Sequence, residues 1–251
     1  MVGTIIFIAC LIFDFVVYDF ILRFHYLFFK KDIDAYFKKF QKERTRAVYR
    51  YAQIYAGFTI HDESEIRDSL PSSFVILCNH QSLADILVVL YSFPDHFLKF
   101  VAKKALKFGI PTISLGARIG KHSFINRRGD FKTTIKELKK LAGNIKEGEC
   151  TVIFPEGTRS RTGEIGQFHT AAVRVMIEHT KLPIVSVALG GGTKIVKFID
   201  LFKHLRGTQY RIKIMNVYPH PASRKKLKTV LEKVRTEISN QVETWKKEKL
   251  I

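Results

Sequence analysis

Short apolar runs alternate along residues 70–218 with longer segments in which apolar residues return every third or fourth position. The runs predict strands at 74–78, 98–102, 122–126, 150–154, 184–189 and 209–217. The longer segments predict helices at 83–92, 104–109, 131–146 and 167–180. Ile135, Leu138 and Leu141 share one face of the third of these. A last helix is expected at about 224–248, where Leu227, Leu231, Val234, Ile238, Val242 and Trp245 form one stripe. Strands that alternate with helices argue for an α/β fold: a mixed, partly parallel sheet flanked by helices.

The first sixty residues follow another pattern. Ile5 to Tyr18 is almost wholly apolar, with Asp14 its one charge; Asp19 and Arg23 follow, then Phe24, Tyr26, Leu27, Phe28 and Phe29 ahead of Lys30-Lys31. A secretory signal has a basic leading region and a small-residue cleavage site, and neither is present. The stretch reads as a retained membrane-associated helix, spanning or re-entrant. A helix is expected over 32–58, with Tyr36, Phe37, Phe40, Ala47, Tyr51, Ile54 and Tyr55 on an apolar face. Lys38, Lys39, Lys42, Arg44, Arg46 and Arg50 form the opposite one. A basic, aromatic amphipathic helix suits an anionic membrane surface. The basic excess after the apolar segment places the main body on the cytoplasmic face of a membrane. This divides the chain into an anchor with a basic helix, 1–60, and an α/β domain, 61–251.

Charge narrows the partners. Against 23 acidic residues stand 42 Lys and Arg, a net charge of +19 over 251 residues. Such a chain favours polyanions: anionic lipid headgroups, phosphorylated small molecules or nucleic acid. A basic, membrane-bound nucleic-acid-binding protein is the rival reading from another class. The charge is spread along the chain without interleaved aromatic residues, unlike a stacking module, so no nucleic acid is expected. Cys10, Cys78 and Cys150 sit in apolar runs without CxxC spacing, as buried thiols of a reducing compartment do. His96, His169, His179, His204 and His220 are scattered without ligand spacing and no HExxH occurs, so no metal is expected. No GxSxG elbow occurs either, which disfavours a serine hydrolase.

Two strand-to-turn junctions carry candidate chemistry. Asn79-His80-Gln81-Ser82-Leu83-Ala84-Asp85 follows the first strand, and Phe154-Pro155-Glu156-Gly157-Thr158-Arg159-Ser160 follows the fourth. His80 can take a proton from a hydroxyl at neutral pH, and Asp85 is the candidate to orient it. Five residues do not share a face of a regular helix. The pair therefore forms only if His80 lies in the turn and Asp85 in the first turn of the helix. Alternatively, Ser82 to Asp85 is a capping box and Asp85 only caps. In the second junction Gly157 lets the backbone approach a ligand, and Arg159 offers a fork of donors for phosphate or carboxylate. Glu156 can bond a hydroxyl or fix Arg159, and a plain turn with a surface ion pair is the other reading. Between the junctions, Gly120 to Arg128 reads as a strand into a basic turn, with Arg127 at the same sheet edge.

Together these blocks resemble the glycerolipid acyltransferase family, of the 1-acylglycerol-3-phosphate acyltransferase type. Asn79-His80 with Asp85 resembles its NHxxxxD block, and Phe124-Ile125-Asn126-Arg127 its second, which ends in a phosphate-binding arginine. Phe154 to Ser160 matches its third at every position, and Leu182 to Ala188 resembles its fourth, a proline-bearing apolar strand. The order and spacing fit over most of residues 70–218. Two departures stand out: Ser186 in place of a second proline, and Gly190-Gly191-Gly192, which would loosen a region tied to substrate binding. The resemblance implies that His80 and Asp85 are catalytic, and that Arg127 and Arg159 bind the acceptor's phosphate in a pocket shaped by Glu156, Gly157 and Thr158. It implies acyl transfer from acyl-CoA or acyl-carrier protein to the free hydroxyl of 1-acyl-sn-glycerol-3-phosphate, giving phosphatidic acid. Another lysophospholipid is the alternative acceptor. No cofactor is implied beyond the acyl donor. The N-terminal segments are similar to the two-helix membrane-docking element of some bacterial members.

Overall fold

A computed structural model describes residues 2–126 and 131–251. Helix α1 (Val2–Phe28) and helix α2 (Ile33–Ala56) form an antiparallel pair ahead of strand β1 (Thr59–Asp62). Then follow β2 (Val75–Cys78), α3 (Asp85–Ser92), β3 (Phe97–Lys103), α4 (Ile113–Ile119), β4 (Ser123–Ile125), α5 (Phe131–Gly143) and β5 (Glu149–Ile153). The chain closes with α6 (Thr170–Thr180), β6 (Ile184–Gly190), α7 (Asp200–His204), β7 (Gln209–Tyr218) and α8 (Arg224–Lys247). Among the described residues one seven-stranded sheet runs in the order β1-β7-β6-β2-β5-β3-β4. Every neighbouring pair is parallel except β6 with β7. The expected mixed, partly parallel sheet is what forms.

Every residue of β2, β5 and β6 is buried, as strands covered on both faces must be. One apolar cluster joins that sheet to α1, α2 and α3 through Phe7, Leu11, Tyr49, Ala52, Val88 and Phe74. A second, on the other face, is built by α6 and by the stripe Leu227, Leu231, Val234, Ile238, Val242 and Trp245 of α8. Strand β1 crosses residue 60, and the α1–α2 pair shares the first cluster with the sheet.

Helix α1 continues unbroken through Asp14 because both of its acids have partners on its protein side. Asp14 is buried and accepts from Arg44 of α2 at 2.8 Å. Asp19 accepts the backbone N–H of Thr112 at 2.7 Å, just ahead of α4. The other side leaves Phe13, Val16, Phe20, Phe24, Leu27 and Phe28 exposed. By length and composition α1 can cross a membrane, with a mean hydropathy of 2.5 over its most apolar 18 residues. On α2 the buried stripe is Ile33, Phe37, Phe40, Thr45, Tyr49, Ala52 and Ala56. Ile54 and Tyr55, expected on the apolar face, point outward, and Arg44, expected on the basic face, turns inward to Asp14 and lies 3.8 Å from the centre of the Tyr18 ring.

Among the described residues, the strand and helices β1, α4 and α7 have no counterpart in the sequence pattern. Each is four to seven residues long, too short for a period to register. Strand β1 exists because it pairs with β7, and α4 follows Thr112, which sits at a φ of 59° and whose N–H is held by α1's Asp19. The helix expected at 104–109 is a single 3₁₀ turn, Lys104–Lys107.

Candidate functional site

The register of the sheet builds the site. β2 and β5 are adjacent and parallel, with Leu77 opposite Ile153, so the turns after them emerge side by side. β6 lies on the other side of β2 and pairs Val187 with Cys78. This is the carboxyl edge of a parallel sheet, where α/β proteins commonly gather reactive groups.

His80 lies in the first turn and Asp85 opens α3, the one arrangement in which residues five apart can meet. His80 Nδ1 is 2.6 Å from Asp85 Oδ2, with both residues buried. The same oxygen accepts the backbone N–H of Gln81 at 2.8 Å and of Ser82 at 2.9 Å. Half of the capping box is thus present, and the carboxylate that makes it also holds the imidazole. The Ser82 hydroxyl accepts from Ala84 N and donates to the Ile195 carbonyl. With Asp85 accepting from Nδ1–H, the neutral ring keeps its lone pair on Nε2. The ring stacks on Phe154 of the second turn, centroids 4.0 Å apart.

Glu156 joins the two turns. Its Oε1 accepts the backbone N–H of His80 at 2.8 Å, and its Oε2 that of Gly166 at 2.8 Å. Burial pushes its carboxyl above the usual range, and the two amide donors partly offset this. In return the His80 carbonyl accepts from Ser160 N at 2.7 Å. Gly157 sits at φ 68°, where a side chain is strained, and its N–H closes the turn onto the Phe154 carbonyl. Arg159 is half-buried and donates to the Val196 carbonyl in the segment after β6. Thr158 is exposed. Arg127 lies outside the described residues; the strand before it, β4, is separated from β5 by β3.

Several contacts of the site carry no local signal. Asn79 bonds both the N–H and the carbonyl of Leu189, at 2.8 and 2.9 Å, and Gln81 donates to the same carbonyl, tying the first turn to the end of β6. Tyr210 of β7 is fully buried and donates its hydroxyl to Asp85 Oδ1 across 125 residues of sequence. The glycine run after β6 corrects the expectation of a loosened region. A Cβ on Gly190 would lie 2.8 Å from Trp245, one on Gly191 2.2 Å from the Gln209 carbonyl oxygen, and one on Gly192 2.2 Å from the Tyr210 hydroxyl. These glycines permit close packing.

His122 stands apart from this site. Its Nε2 is buried, its ring packs on Phe100, and burial, with Lys99 nearby, lowers its pKa to about 3. The unfolded chain therefore takes up the proton first, near pH 6.5. The stability tied to neutral His122 is complete above that pH and drains away as pH falls toward 3, by about 2 kcal/mol at pH 5. His122→Phe should flatten the fall in Tm between pH 7 and pH 5. Parallel curves for the two proteins would contradict this.

A family model described as Acyltransferase matches residues 57–190. The chain is 30% identical over 165 residues to a chloroplastic 1-acyl-sn-glycerol-3-phosphate acyltransferase of Brassica napus, covering 62% of this chain and 46% of that protein. To a chloroplastic protein of the same description from Arabidopsis thaliana it is 33% identical over 153 residues, 58% of this chain and 41% of the relative. It thus spans less than half the length of these relatives. Its fold is that of the crystal structure of a 1-acyl-sn-glycerophosphate acyltransferase from Thermotoga maritima, with a TM-score of 0.72 at 21% identity over 97% of this chain and 95% of the other.

Proposed function

From the premise that this chain belongs to the acyltransferase family, we propose that it transfers an acyl group from a thioester donor to the free hydroxyl of 1-acyl-sn-glycerol-3-phosphate, giving phosphatidic acid. The observation that carries the reading is the buried His80–Asp85 pair, with Nδ1 committed and Nε2 left as the base. In the reaction Nε2 removes the proton of the acceptor hydroxyl as its oxygen attacks the thioester carbonyl. Asp85 stabilises the imidazolium that forms. The tetrahedral intermediate collapses with cleavage of the carbon–sulfur bond, and the imidazolium returns the proton to the departing thiolate. The products are an ester and a free thiol, with no acyl-enzyme between them.

The acceptor's phosphate is assigned to Arg159 and Arg127. Arg159 has five N–H donors, one of which goes to Val196 and fixes the fork beside the two turns. Glu156 acts by holding the turns in register, and Gly157 and Thr158 of the second turn shape the pocket. The relatives' printed activity supports this acceptor. The donor is acyl-CoA or acyl-carrier protein, and no other cofactor takes part. The exposed apolar side of α1 rests in a membrane, with the basic surface toward anionic headgroups on the cytoplasmic face.

The test is thiol release from palmitoyl-CoA by detergent-purified protein across a panel of acceptors. Release that depends on 1-acyl-sn-glycerol-3-phosphate and is much slower with lysophosphatidylcholine is the expected result. Equal rates with both would remove the phosphate-monoester assignment. Silence with every acceptor, acyl chain and carrier would remove the activity.

A further inference from the structure

We propose that Tyr210, on the last strand and beyond the residues the family model matches, is a positioning residue of the His80–Asp85 pair. Its hydroxyl holds the second carboxylate oxygen and so sets the basicity of His80. The kinetic side of this proposal rests on the acyl-transfer reading, while its geometric side stands without it.

The bonding of Asp85 is uneven. Oδ2 takes three donors: His80 Nδ1, Gln81 N and Ser82 N. Oδ1 takes the Tyr210 hydroxyl, and the carboxylate is wholly cut off from solvent. A buried charged oxygen without a donor is costly, and this phenol is the donor that Oδ1 receives. The place of the phenol is reserved from the opposite side. Gly192 leaves room for the hydroxyl where any Cβ would lie 2.2 Å from it and 2.6 Å from Ser82 Cβ. Phe58 packs beside the ring at 5.8 Å.

The titratable groups around the pair come from four elements besides β7. They are Cys78 at the end of β2, His80 in the first turn, Asp85 on α3 and Glu156 in the second turn. Burial, with Asp85 adding to it, holds both the Cys78 thiol and the Tyr210 phenol far above their ordinary pKa, so neither ionises at neutral pH. Tyr210 therefore acts as a neutral donor. Its hydrogen bond draws charge from the carboxylate and fixes the plane in which Oδ2 meets His80. Without it Asp85 becomes a stronger countercharge for the imidazolium and a looser anchor for the ring. The first change raises the pKa of His80, and the second reduces the fraction of molecules with Nε2 aligned.

The experiment follows the His80 ring by NMR in the detergent-solubilised full chain, assigned by the signal that His80→Ala removes. Titrations compare the unaltered protein, Tyr210→Phe and a chain carrying 3-fluorotyrosine at position 210, beside kcat and KM for each. Tyr210→Phe should raise the His80 midpoint by about half a pH unit or more, move the acid limb of kcat/KM with it, and lower kcat about tenfold with KM little changed. The fluorinated phenol is a stronger donor of nearly the same size and should move the midpoint the other way. Midpoints unmoved in both variants, with only Tm altered, would reduce Tyr210 to a packing residue and overturn the proposal. If Tyr210→Phe fails to fold, the sign of the fluorotyrosine shift decides alone. Midpoints that shift as stated in a protein that transfers no acyl group would uphold the positioning role and defeat the function proposed above.

Discussion

His80→Ala is expected to slow acyl transfer by about 10²–10⁴-fold, the range a positioned general base supplies. The fold should survive. The bonds that tie the two turns through this residue run from its backbone N–H to Glu156 and from Ser160 N to its carbonyl, and alanine keeps both. What is lost is the ring, its stack on Phe154 and its bond to Asp85. The expected signature is an unchanged far-UV circular dichroism spectrum, near-normal binding of the acceptor, and thiol release close to background. A variant that retains more than about half of the parent rate would mean another group takes the proton.

Asp85 should show a larger combined effect, because it serves both the base and the architecture. Asp85→Ala strands four buried donors at once: His80 Nδ1, Gln81 N, Ser82 N and the Tyr210 hydroxyl. Each buried donor left without a partner costs about 1–3 kcal/mol, so Tm should fall steeply together with activity. Asp85→Asn separates the two roles. Its one carbonyl oxygen can face the three-donor side, while its amide donates to the oxygen of Tyr210, which rotates its own proton away. Stability should largely return. Activity should stay about 10²–10⁴-fold down, because a neutral amide does not stabilise the imidazolium. Thermal melts and kcat for both variants check this. An asparagine variant with full activity would leave Asp85 as a helix cap and nothing more.

The candidate chemistry was legible where it is local. His80, Asp85, Glu156, Gly157 and Arg159 lie in two short blocks, each immediately after an apolar strand, so residue type and position could be read together. Spacing alone left Asp85 divided between cap and catalytic partner. The structure answers that both uses share one carboxylate, since the amides of Gln81 and Ser82 and the imidazole converge on the same oxygen. Glu156 was legible as a site residue, but its two amide partners were not, because one of them lies 76 positions away. The glycine run misleads for a related reason. Glycine freedom reads as looseness in a sequence, whereas here the missing side chains admit Trp245, the Gln209 backbone and the Tyr210 hydroxyl.

What the chain determines by itself is the order of its longer strands and helices, the apolar α1 and the two reactive turns. All of these depend on periodicity and on neighbours within a few residues. The sheet order β1-β7-β6-β2-β5-β3-β4 is decided only in three dimensions, as is the inward turn of Arg44 toward Asp14. So is the link from Tyr210 to Asp85. Pairing between strands and the satisfaction of buried charges are contacts between distant segments, and a donor on the last strand leaves no mark near the acid it serves. The short elements β1 and α4 belong on that side too, since each is held by a partner from elsewhere in the chain, β7 for one and Asp19 for the other.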